Sequence, residues 1–221
     1  MFGRFRGFVR ADGMWSQDAL SHVGTAAGIV QEEKKDTEFK TMKIAFVSDL
    51  HGSLSATRAA LEAADAWGAE RIAVLGDVMY HGPRNPFPQQ YAPAEVAECL
   101  NRYADRIVAV RGNCDSEVDQ MLVRYPMMGD YAVIALPQRD IFLTHGHLYS
   151  PESHPALREG SILAFGHIHT PVAERGQGVF YFNPGSAALP KDPYPATWGR
   201  FDGRVLEVVD FAGEIIKSLA L

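Results

Sequence analysis

The sequence predicts an α/β protein in which two β-sheets pack together and helices cover them on the outside. Its first part alternates short apolar runs with helical segments, a pattern typical of parallel strands joined by right-handed crossovers. After Pro126 the pattern changes to short strands separated by turns, which indicates a second sheet rather than one doubly wound sheet. The 221 residues suffice for one domain with a substantial core.

The first part of the domain has three predicted strands and three predicted helices. Each strand is an apolar run with no turn residue inside it, as expected of strands that are buried on both faces. The first helix has Ser53 as a candidate N-cap and Gly68 as its stop. A long loop rich in proline and glycine covers 81–93, and such loops in compact domains are usually functional. In chain order the predictions are strand 43–48, helix 54–67, strand 71–75, helix 94–103, strand 106–110 and a helix from Asp115 or Ser116 to Arg124.

The remainder of the domain is predicted to be mostly β. One hairpin turns at Pro137, and a terminal hairpin turns at Asp202-Gly203, which is a strong turn signal. The predicted elements are strands 131–136, 140–144, 162–165, 179–182, 197–201, 205–211 and 215–219, with a weak helical turn at 152–158.

Residues 1–41 differ from the domain that follows them. They show no strong helical period and no apolar segment of the length that a secretory signal requires. Met42 stands directly before the first strand. We therefore expect 1–41 to be an N-terminal extension that is disordered or arises from a non-native start, and we place the domain at 42–221.

The net charge and the cysteine content limit which partners and which cellular compartment are expected. The net charge of -6 argues against binding of nucleic-acid polymers, which normally requires a basic face. The two cysteines do not make a disulfide framework, so we predict a reducing compartment and a cytoplasmic protein. No stretch approaches the roughly 20 apolar residues of a membrane span, and no membrane partner is expected.

Polar residues directly follow the apolar runs of five strands. His167 and His169 end one of them, and because alternate residues of a strand face one side, we expect both imidazoles to point at one place. The parallel strands of the first sheet end at one edge, which is where ligands bind in open α/β sheets. The other polar ends are Asp49-Leu50-His51, Gly76-Asp77, Gly112-Asn113 and His145-Gly146-His147.

Together these strand ends offer two carboxylates, one carboxamide and at least four imidazoles. That mix of oxygen and nitrogen donors suits manganese, iron or zinc better than calcium or magnesium alone. Seven donors are too many for one tetrahedral ion. They suit two ions roughly 3.5–4 Å apart that share one carboxylate.

The ordered series of motifs resembles the calcineurin-like metallophosphoesterase superfamily over residues 43 to about 187. Its motifs here are Asp49-x-His51, Gly76-Asp77, Gly112-Asn113, His145 and Gly166-His167-x-His169. Longer stretches, among them 48–53, 111–121 and 182–186, resemble the YfcE-like bacterial phosphodiesterases. The resemblance implies the metallophosphoesterase fold, a four-layer αββα sandwich of two mixed β-sheets flanked by helices.

The resemblance also implies which residues serve each ion. The first metal would be held by Asp49, His51 and His169, and the second by Asn113, His145 and His167, with Asp77 bridging the two. A hydroxide shared by both ions would attack the phosphorus, with Asp77, Asn113 and His145 as the catalytic protein residues. Manganese is the first expectation for both ions, with nickel, zinc and iron as alternatives.

Cys114 is the informative departure from the wider superfamily, in which the residue after the asparagine is commonly a histidine that helps to protonate the leaving oxygen. A thiol with a pKa of about 8.5 is a poorer proton donor than imidazolium at neutral pH. We favour a small buried residue at this position over a catalytic thiol. Leaving groups of low pKa should then be preferred, unless His81, His147 or a metal-bound water replaces the donor.

Three side chains are candidate substrate contacts. His81 and Arg84 lie on the long loop, where they would meet the phosphate or the rest of the substrate. The alternative for both is a solvated loop. His147 would contact the substrate or orient a ligand, and a structural hydrogen bond is its alternative.

The leading hypothesis is a binuclear metal-dependent phosphodiesterase that hydrolyses a small soluble phosphodiester by attack of the bridging hydroxide. One alternative is a phosphomonoesterase or nucleotidase of the same fold. Another is a non-catalytic scaffold, as in the retromer subunit that resembles these enzymes but has an eroded metal site. Every ligand position here holds a competent donor, which favours an enzyme. The resemblance further implies a homodimer or homotetramer.

Overall fold

Two mixed β-sheets and three helices make up residues 41–221, the part of the chain that the computed structural model describes. The prediction for residues 1–41 therefore lies outside the described residues, apart from Thr41. No helix within 41–221 is long and apolar enough to span a membrane. In chain order the elements are β1 (Ile44–Val47), α1 (Leu54–Trp67), β2 (Arg71–Val74), α2 (Pro93–Asn101), β3 (Ile107–Ala109), α3 (Glu117–Leu122), β4 (Tyr131–Ala135), β5 (Asp140–Thr144), β6 (Ile162–Ala164), β7 (Pro171–Gly176), β8 (Val179–Pro184), β9 (Thr197–Phe201), β10 (Val205–Asp210) and β11 (Ile215–Ala220).

The first sheet has the strand order β11-β10-β9-β1-β2-β3. Strands β1, β2 and β3 are parallel, as the sequence pattern predicts, and β9, β10 and β11 extend the sheet in antiparallel fashion. Helix α1 begins where the Ser53 hydroxyl accepts the N–H of Ala56, and it ends at Gly68 in a left-handed conformation. The carboxyl ends of β1, β2 and β3 consequently share one edge of the sheet.

The second sheet has the strand order β4-β5-β6-β8-β7. Its central strands β5, β6 and β8 are parallel, whereas the edge strands β4 and β7 run antiparallel to their neighbours. The prediction of two mixed sheets with flanking helices is confirmed.

The core forms two apolar layers around the first sheet. Between this sheet and the helices, Val74 of β2 belongs to one cluster with Leu61 of α1 and Leu100 of α2. Between the two sheets, Phe46 of β1 meets Phe182 of β8 edge to face, with ring centroids 5.1 Å apart. This second layer joins the sheets, so it fixes how their strand ends meet.

Loop residues cover the outer face of the second sheet. Tyr181 of β8 belongs there to a cluster with Tyr149 and Leu157 from the segment between β5 and β6. The helical turn predicted at 152–158 is wrong, because Pro155 lacks a backbone N–H and disfavours a helical residue before it. Within 41–221 this outer layer is therefore a loop and not a helix.

Strand β7 is an edge strand that the sequence pattern did not predict. It starts with Pro171 and contains the charged pair Glu174-Arg175, so it lacks the apolar run that marks the other strands. Its hairpin with β8 turns at Gln177 and Gly178, whose φ values of 52° and 79° suit the twist of a two-residue β-turn.

Replacing Phe182 with alanine is expected to lower the free energy of unfolding by about 3–5 kcal/mol, because the ring is fully buried between the sheets. Chemical denaturation in urea measures the change. Phe211→Ala is the matched control, since the Phe211 ring is 36% exposed and its loss should cost much less. Equal destabilisation by the two variants would contradict the assignment of Phe182 to the core between the sheets.

Candidate metal centre

The polar ends of strands from both sheets meet at one place. Backbone hydrogen bonds join neighbouring ends: the N–H of Asp49 donates to Gly76 (3.2 Å) and that of Gly166 to His145 (2.8 Å). The arrangement brings together six of the seven predicted metal ligands through side-chain contacts, namely Asp49, His51, Asp77, Asn113, His145 and His169.

Three histidines of this cluster are oriented in the same way. Nδ1 of His51, His145 and His169 each lies within hydrogen-bond distance of a backbone carbonyl, that of Tyr80 (2.9 Å), Leu75 (2.7 Å) and Leu189 (2.6 Å) respectively. A carbonyl only accepts, so each Nδ1 carries a proton, and whenever the ring is neutral its Nε2 keeps a lone pair. This is the arrangement in which protein imidazoles bind metal ions.

When the rings are neutral, three of these groups converge with acceptor atoms facing each other. Nε2 of His51 lies 3.3 Å from Nε2 of His169, which in turn lies 3.2 Å from Oδ1 of Asp49. Oδ1 of Asp49 is buried and has no hydrogen-bond partner among the described residues. Facing acceptor atoms repel each other unless a proton or a cation lies between them, so these residues fit a metal ion.

Asp77 lies between this group and a second one. Its Oδ2 is 3.7 Å from Nε2 of His51 and 3.4 Å from Nε2 of His145. His145 in turn places Nε2 3.1 Å from Oδ1 of Asn113, and both of these atoms are acceptors when the ring is neutral. One carboxylate thus faces donors of both groups, as expected of a bridging ligand.

His167 is less tightly placed than the other candidates. Its ring is half-buried, with its centroid 5.1 Å from that of His145, and it lines the same cavity as Asn113. It lies outside the tight donor groups formed by Asp49, Asp77 and the other histidines. Its role as a ligand stays a prediction.

The buried carboxylates of Asp49 and Asp77 favour a positive charge on the groups between them. Burial opposes ionisation of Asp77, but hydrogen bonding to His145 and the charge of that ring hold the pKa of the carboxyl well below its usual range. Burial favours a neutral His145, yet hydrogen bonding to Asp77 and the charge of Asp49 raise its pKa to about 9. A divalent cation would supply the positive charge that a proton on His145 supplies otherwise.

Strained backbone marks the ligand positions. Residues 41–221 contain seven non-glycine residues with positive φ, and five of them are predicted ligands: Asp49, His51, Asp77, His167 and His169. Such conformations persist where the surroundings enforce them, and they concentrate at functional sites. The expectation that His167 and His169 alternate along a strand is therefore wrong, because β6 ends at Ala164 and both residues lie in a left-handed turn.

Glycine allows the loops to approach each other this closely. A Cβ on Gly112 would overlap the backbone N and Oδ1 of Asp77, and one on Gly166 would overlap Oγ of Ser48. The Gly-Asn and Gly-His dipeptides are therefore required by packing as much as by the donors that follow them.

Asp115 holds the loops of Asp77 and Asn113 together. Its buried carboxylate accepts the backbone N–H groups of Asp77 (2.9 Å), Val78 (2.8 Å) and Gly112 (2.8 Å). The alternative start of α3 at Asp115 is wrong, because the N-cap is Ser116, whose backbone N–H donates to Asp119 at 2.8 Å. Burial raises the pKa of Asp115 to about 6, so its carboxylate is still ionised at neutral pH.

Cys114 lies beside the carboxylate of Asp77. Its backbone N–H donates to Oδ1 of Asp77 (2.8 Å), and Nδ2 of Asn113 lies 3.3 Å from its Sγ. Burial and the charge of Asp77 raise the pKa of the thiol to about 12. Without a bound cation the side chain therefore stays a protonated thiol at neutral pH.

A cavity of about 810 Å³ opens over these donors. Of the predicted substrate contacts, Arg84 lines it, whereas His81 and His147 do not. The His81 ring stacks on Phe87 with centroids 4.3 Å apart, and the His147 ring lies 5.4 Å from that of His145. Both histidines stay predictions as substrate contacts.

Lys191 also lines the cavity, and the sequence pattern did not identify it. It follows β8 in a segment without a motif, so no signal in the sequence pointed to it. The same holds for Tyr80, whose carbonyl orients His51 and which also lines the cavity.

Two packed mixed sheets whose strand ends gather imidazole and carboxylate donors define the class of metal-dependent phosphoesterases. The chain belongs to the calcineurin-like phosphoesterase superfamily, whose domain it matches over residues 42–204. It is accordingly an enzyme of the phosphoesterase class.

Several known proteins are similar to this chain. Phosphodiesterase YfcE of Escherichia coli K12 is 51% identical over 181 residues, which is 81% of this chain and 98% of that protein. The structure of the E. coli phosphoesterase Yfce has a TM-score of 0.80 at 49% identity and covers 81% of this chain and 99% of its own. Vacuolar Protein Sorting 29 of Cryptosporidium parvum has a TM-score of 0.55 at 19% identity, over 82% of this chain and 99% of its own, and shares the fold alone.

Proposed function

We propose that the protein is a phosphodiesterase that hydrolyses a small phosphodiester at a centre of two divalent metal ions. The observation that carries the proposal is the position of Asp77 Oδ2, 3.7 Å from Nε2 of His51 and 3.4 Å from Nε2 of His145. Both imidazoles direct Nδ1–H to backbone carbonyls and so keep Nε2 free for a metal. The identity of 51% to a protein named phosphodiesterase supports the diester as substrate.

In this proposal the donors divide between two ions. The first ion is held by Asp49, His51 and His169, the second by Asn113, His145 and His167, and Asp77 serves both. When bound, such ions supply a hydroxide nucleophile at neutral pH and neutralise the charge of the phosphoryl oxygens. Manganese is the first choice for both sites, with nickel, zinc and iron as alternatives.

The protein groups of the centre then act by position and charge. The carbonyls of Tyr80, Leu75 and Leu189 hold the imidazoles in their ligating tautomer. Asp115 holds the backbone that carries Asp77, so the donors need little reorganisation during the reaction.

The chemistry of Cys114 predicts which leaving groups the enzyme prefers. A thiol whose pKa lies near 12 through burial and the charge of Asp77 protonates an alkoxide weakly. Leaving groups of low pKa should therefore react fastest. Esters with an aryl leaving group should accordingly react faster than unactivated monoesters.

Removal and replacement of the metal is the experiment that tests the proposal. Chelated protein should be inactive, and reloading with manganese should restore turnover of bis(4-nitrophenyl) phosphate in preference to 4-nitrophenyl phosphate. Nickel, zinc and magnesium are compared in parallel, with the metal content of each sample measured. Turnover that survives chelation would overturn the metal centre, and a preference for the monoester would overturn the choice of a diester.

The remaining predictions about partners are open to direct measurement. The homodimer or homotetramer is tested by light scattering on the eluted protein. The cytoplasmic location and the absence of binding to nucleic-acid polymers likewise stay predictions.

A further inference from the structure

Two cationic side chains line the cavity that contains Asp77. Arg84 comes from the loop after β2, and Lys191 comes from the segment after β8. Both residues are exposed, and the protein as a whole carries a net charge of -6. The two basic residues at the cavity over the predicted metal ligands are therefore not a consequence of a generally basic surface.

Neither cation is neutralised by the described part of the chain. No carboxylate within residues 41–221 lies within 4.0 Å of the Arg84 guanidinium or the Lys191 ammonium group, although other arginines form such pairs. The acidic residues of the cavity, Asp77 and Asp115, are engaged by backbone N–H groups and by His145. Both positive charges are consequently available to a ligand.

The backbone around Arg84 is held against the metal centre. The N–H of Asn85 donates to Gly82 (3.3 Å), and the Asn85 side-chain amide donates to His81 (2.9 Å), so 82–85 forms a closed turn. A Cβ on Gly82 would lie 3.1 Å from Sγ of Cys114, which shows how closely this turn packs on the residue beside Asp77.

The backbone at Lys191 is tied to a predicted metal ligand. Its N–H donates to the carbonyl of His169 (3.2 Å), and its own carbonyl accepts the N–H of Tyr194 (3.0 Å). The two cations therefore belong to separate loops, each anchored to the metal centre.

We propose that the substrate carries a second phosphate group in addition to the scissile diester, and that Arg84 and Lys191 bind it. This inference rests on the proposed function. Two unit positive charges match a terminal phosphate, which carries about −1.5 to −2 charges at pH 7, better than a carboxylate with one. The guanidinium fork also donates two parallel hydrogen bonds to phosphate oxygens, while lysine acts as a point charge.

The test is a set of 4-nitrophenyl phosphodiesters that differ only in the second alcohol: ethyl, 2-aminoethyl, 2-carboxyethyl and 2-phosphoethyl. Each substrate is hydrolysed at the bond between phosphorus and the aryl oxygen and releases 4-nitrophenolate, so the chemical step is the same. The 2-phosphoethyl ester should have a kcat/KM about tenfold or more above the ethyl ester. The 2-aminoethyl ester should be the poorest substrate.

Single variants assign the preference to the two residues. Arg84→Gln and Lys191→Gln should each lower kcat/KM for the 2-phosphoethyl ester about tenfold more than kcat/KM for the ethyl ester. Arg71→Gln is the matched control, because Arg71 starts β2 at the end of the strand away from the site. It should alter neither substrate.

The outcomes separate this inference from the proposed function. No turnover of any diester by the metal-loaded protein would contradict the proposed function. Turnover of the ethyl ester without preference for the 2-phosphoethyl ester would overturn the inference alone. A 2-carboxyethyl ester as good as the 2-phosphoethyl ester would overturn the assignment to phosphate, and a preference that survives in both variants would remove Arg84 and Lys191 from it.

Discussion

Asp77→Asn is expected to lower kcat on a diester by about a thousandfold and to reduce the bound metal below two ions per chain. The substitution keeps the size of the side chain, and an amide oxygen can still accept the N–H of Cys114 as Oδ1 of Asp77 does. It removes the negative charge that faces His51 and His145. The expected loss therefore comes from charge and bridging and not from packing.

Turnover and metal content, measured on the same purified samples, check this prediction. Asp65→Asn is the control, because Asp65 also accepts hydrogen bonds, from Tyr103 (2.7 Å) and Arg106 (2.8 Å), but is largely exposed outside the cavity. That variant should retain wild-type kcat and metal content. An Asp77→Asn protein with full activity would remove Asp77 from the bridging position.

Much of the fold could be predicted because its strands are continuous apolar runs with clear stops. Helix α1 has the predicted bounds, with Ser53 and Gly68 at its ends, since capping chemistry is local and readable. The parallel order of β1 and β2 follows from the handedness of the crossover. That order alone places Asp49 and Asp77 at one edge.

What could not be predicted depends on contacts between segments distant in the chain. Strand β7 is a strand because it pairs with β8, and its own residues favour no such state. The left-handed turn at His167 and His169 is likewise enforced by its neighbours, for example by the N–H of His167 that donates to Oδ2 of Asp49 (3.1 Å). Lys191 enters the cavity for the same kind of reason, because its backbone bonds to His169.

In the candidate site, too, some features could be predicted from the sequence and others could not. The identities and order of the donors are sequence motifs, and the donor atoms of six of the seven side chains lie within 4 Å of another donor atom of the cluster. How each imidazole is oriented depends on carbonyls such as those of Leu75 and Leu189, which any residue type could supply. Side-chain identity therefore predicts which groups are candidate metal ligands, whereas backbone geometry determines how those groups are oriented.

Asp115→Ala is expected to destabilise the protein by about 3 kcal/mol or more and to lower kcat more than it raises KM. The substitution leaves three N–H groups, those of Asp77, Val78 and Gly112, without their carboxylate partner. Two of the three belong to segments that carry predicted ligands, namely to Asp77 itself and to Gly112, the residue before Asn113. Loss of their common acceptor should let the predicted ligands Asp77 and Asn113 drift, which catalysis tolerates poorly.

A purely structural role and a positioning role predict different results for Asp115→Asn. The asparagine nearly preserves shape, but its amide group presents donors to at least one of the three N–H groups, so the bridging loop should still be disturbed. We expect this variant to stay folded in the absence of denaturant, yet to bind metal more weakly by calorimetric titration and to turn over diesters at least tenfold more slowly. Asp130→Asn is the matched control, because Asp130 pairs with Arg111 at the exposed surface. Wild-type metal affinity and kcat in folded Asp115→Asn would show that Asp115 contributes to stability without positioning Asp77.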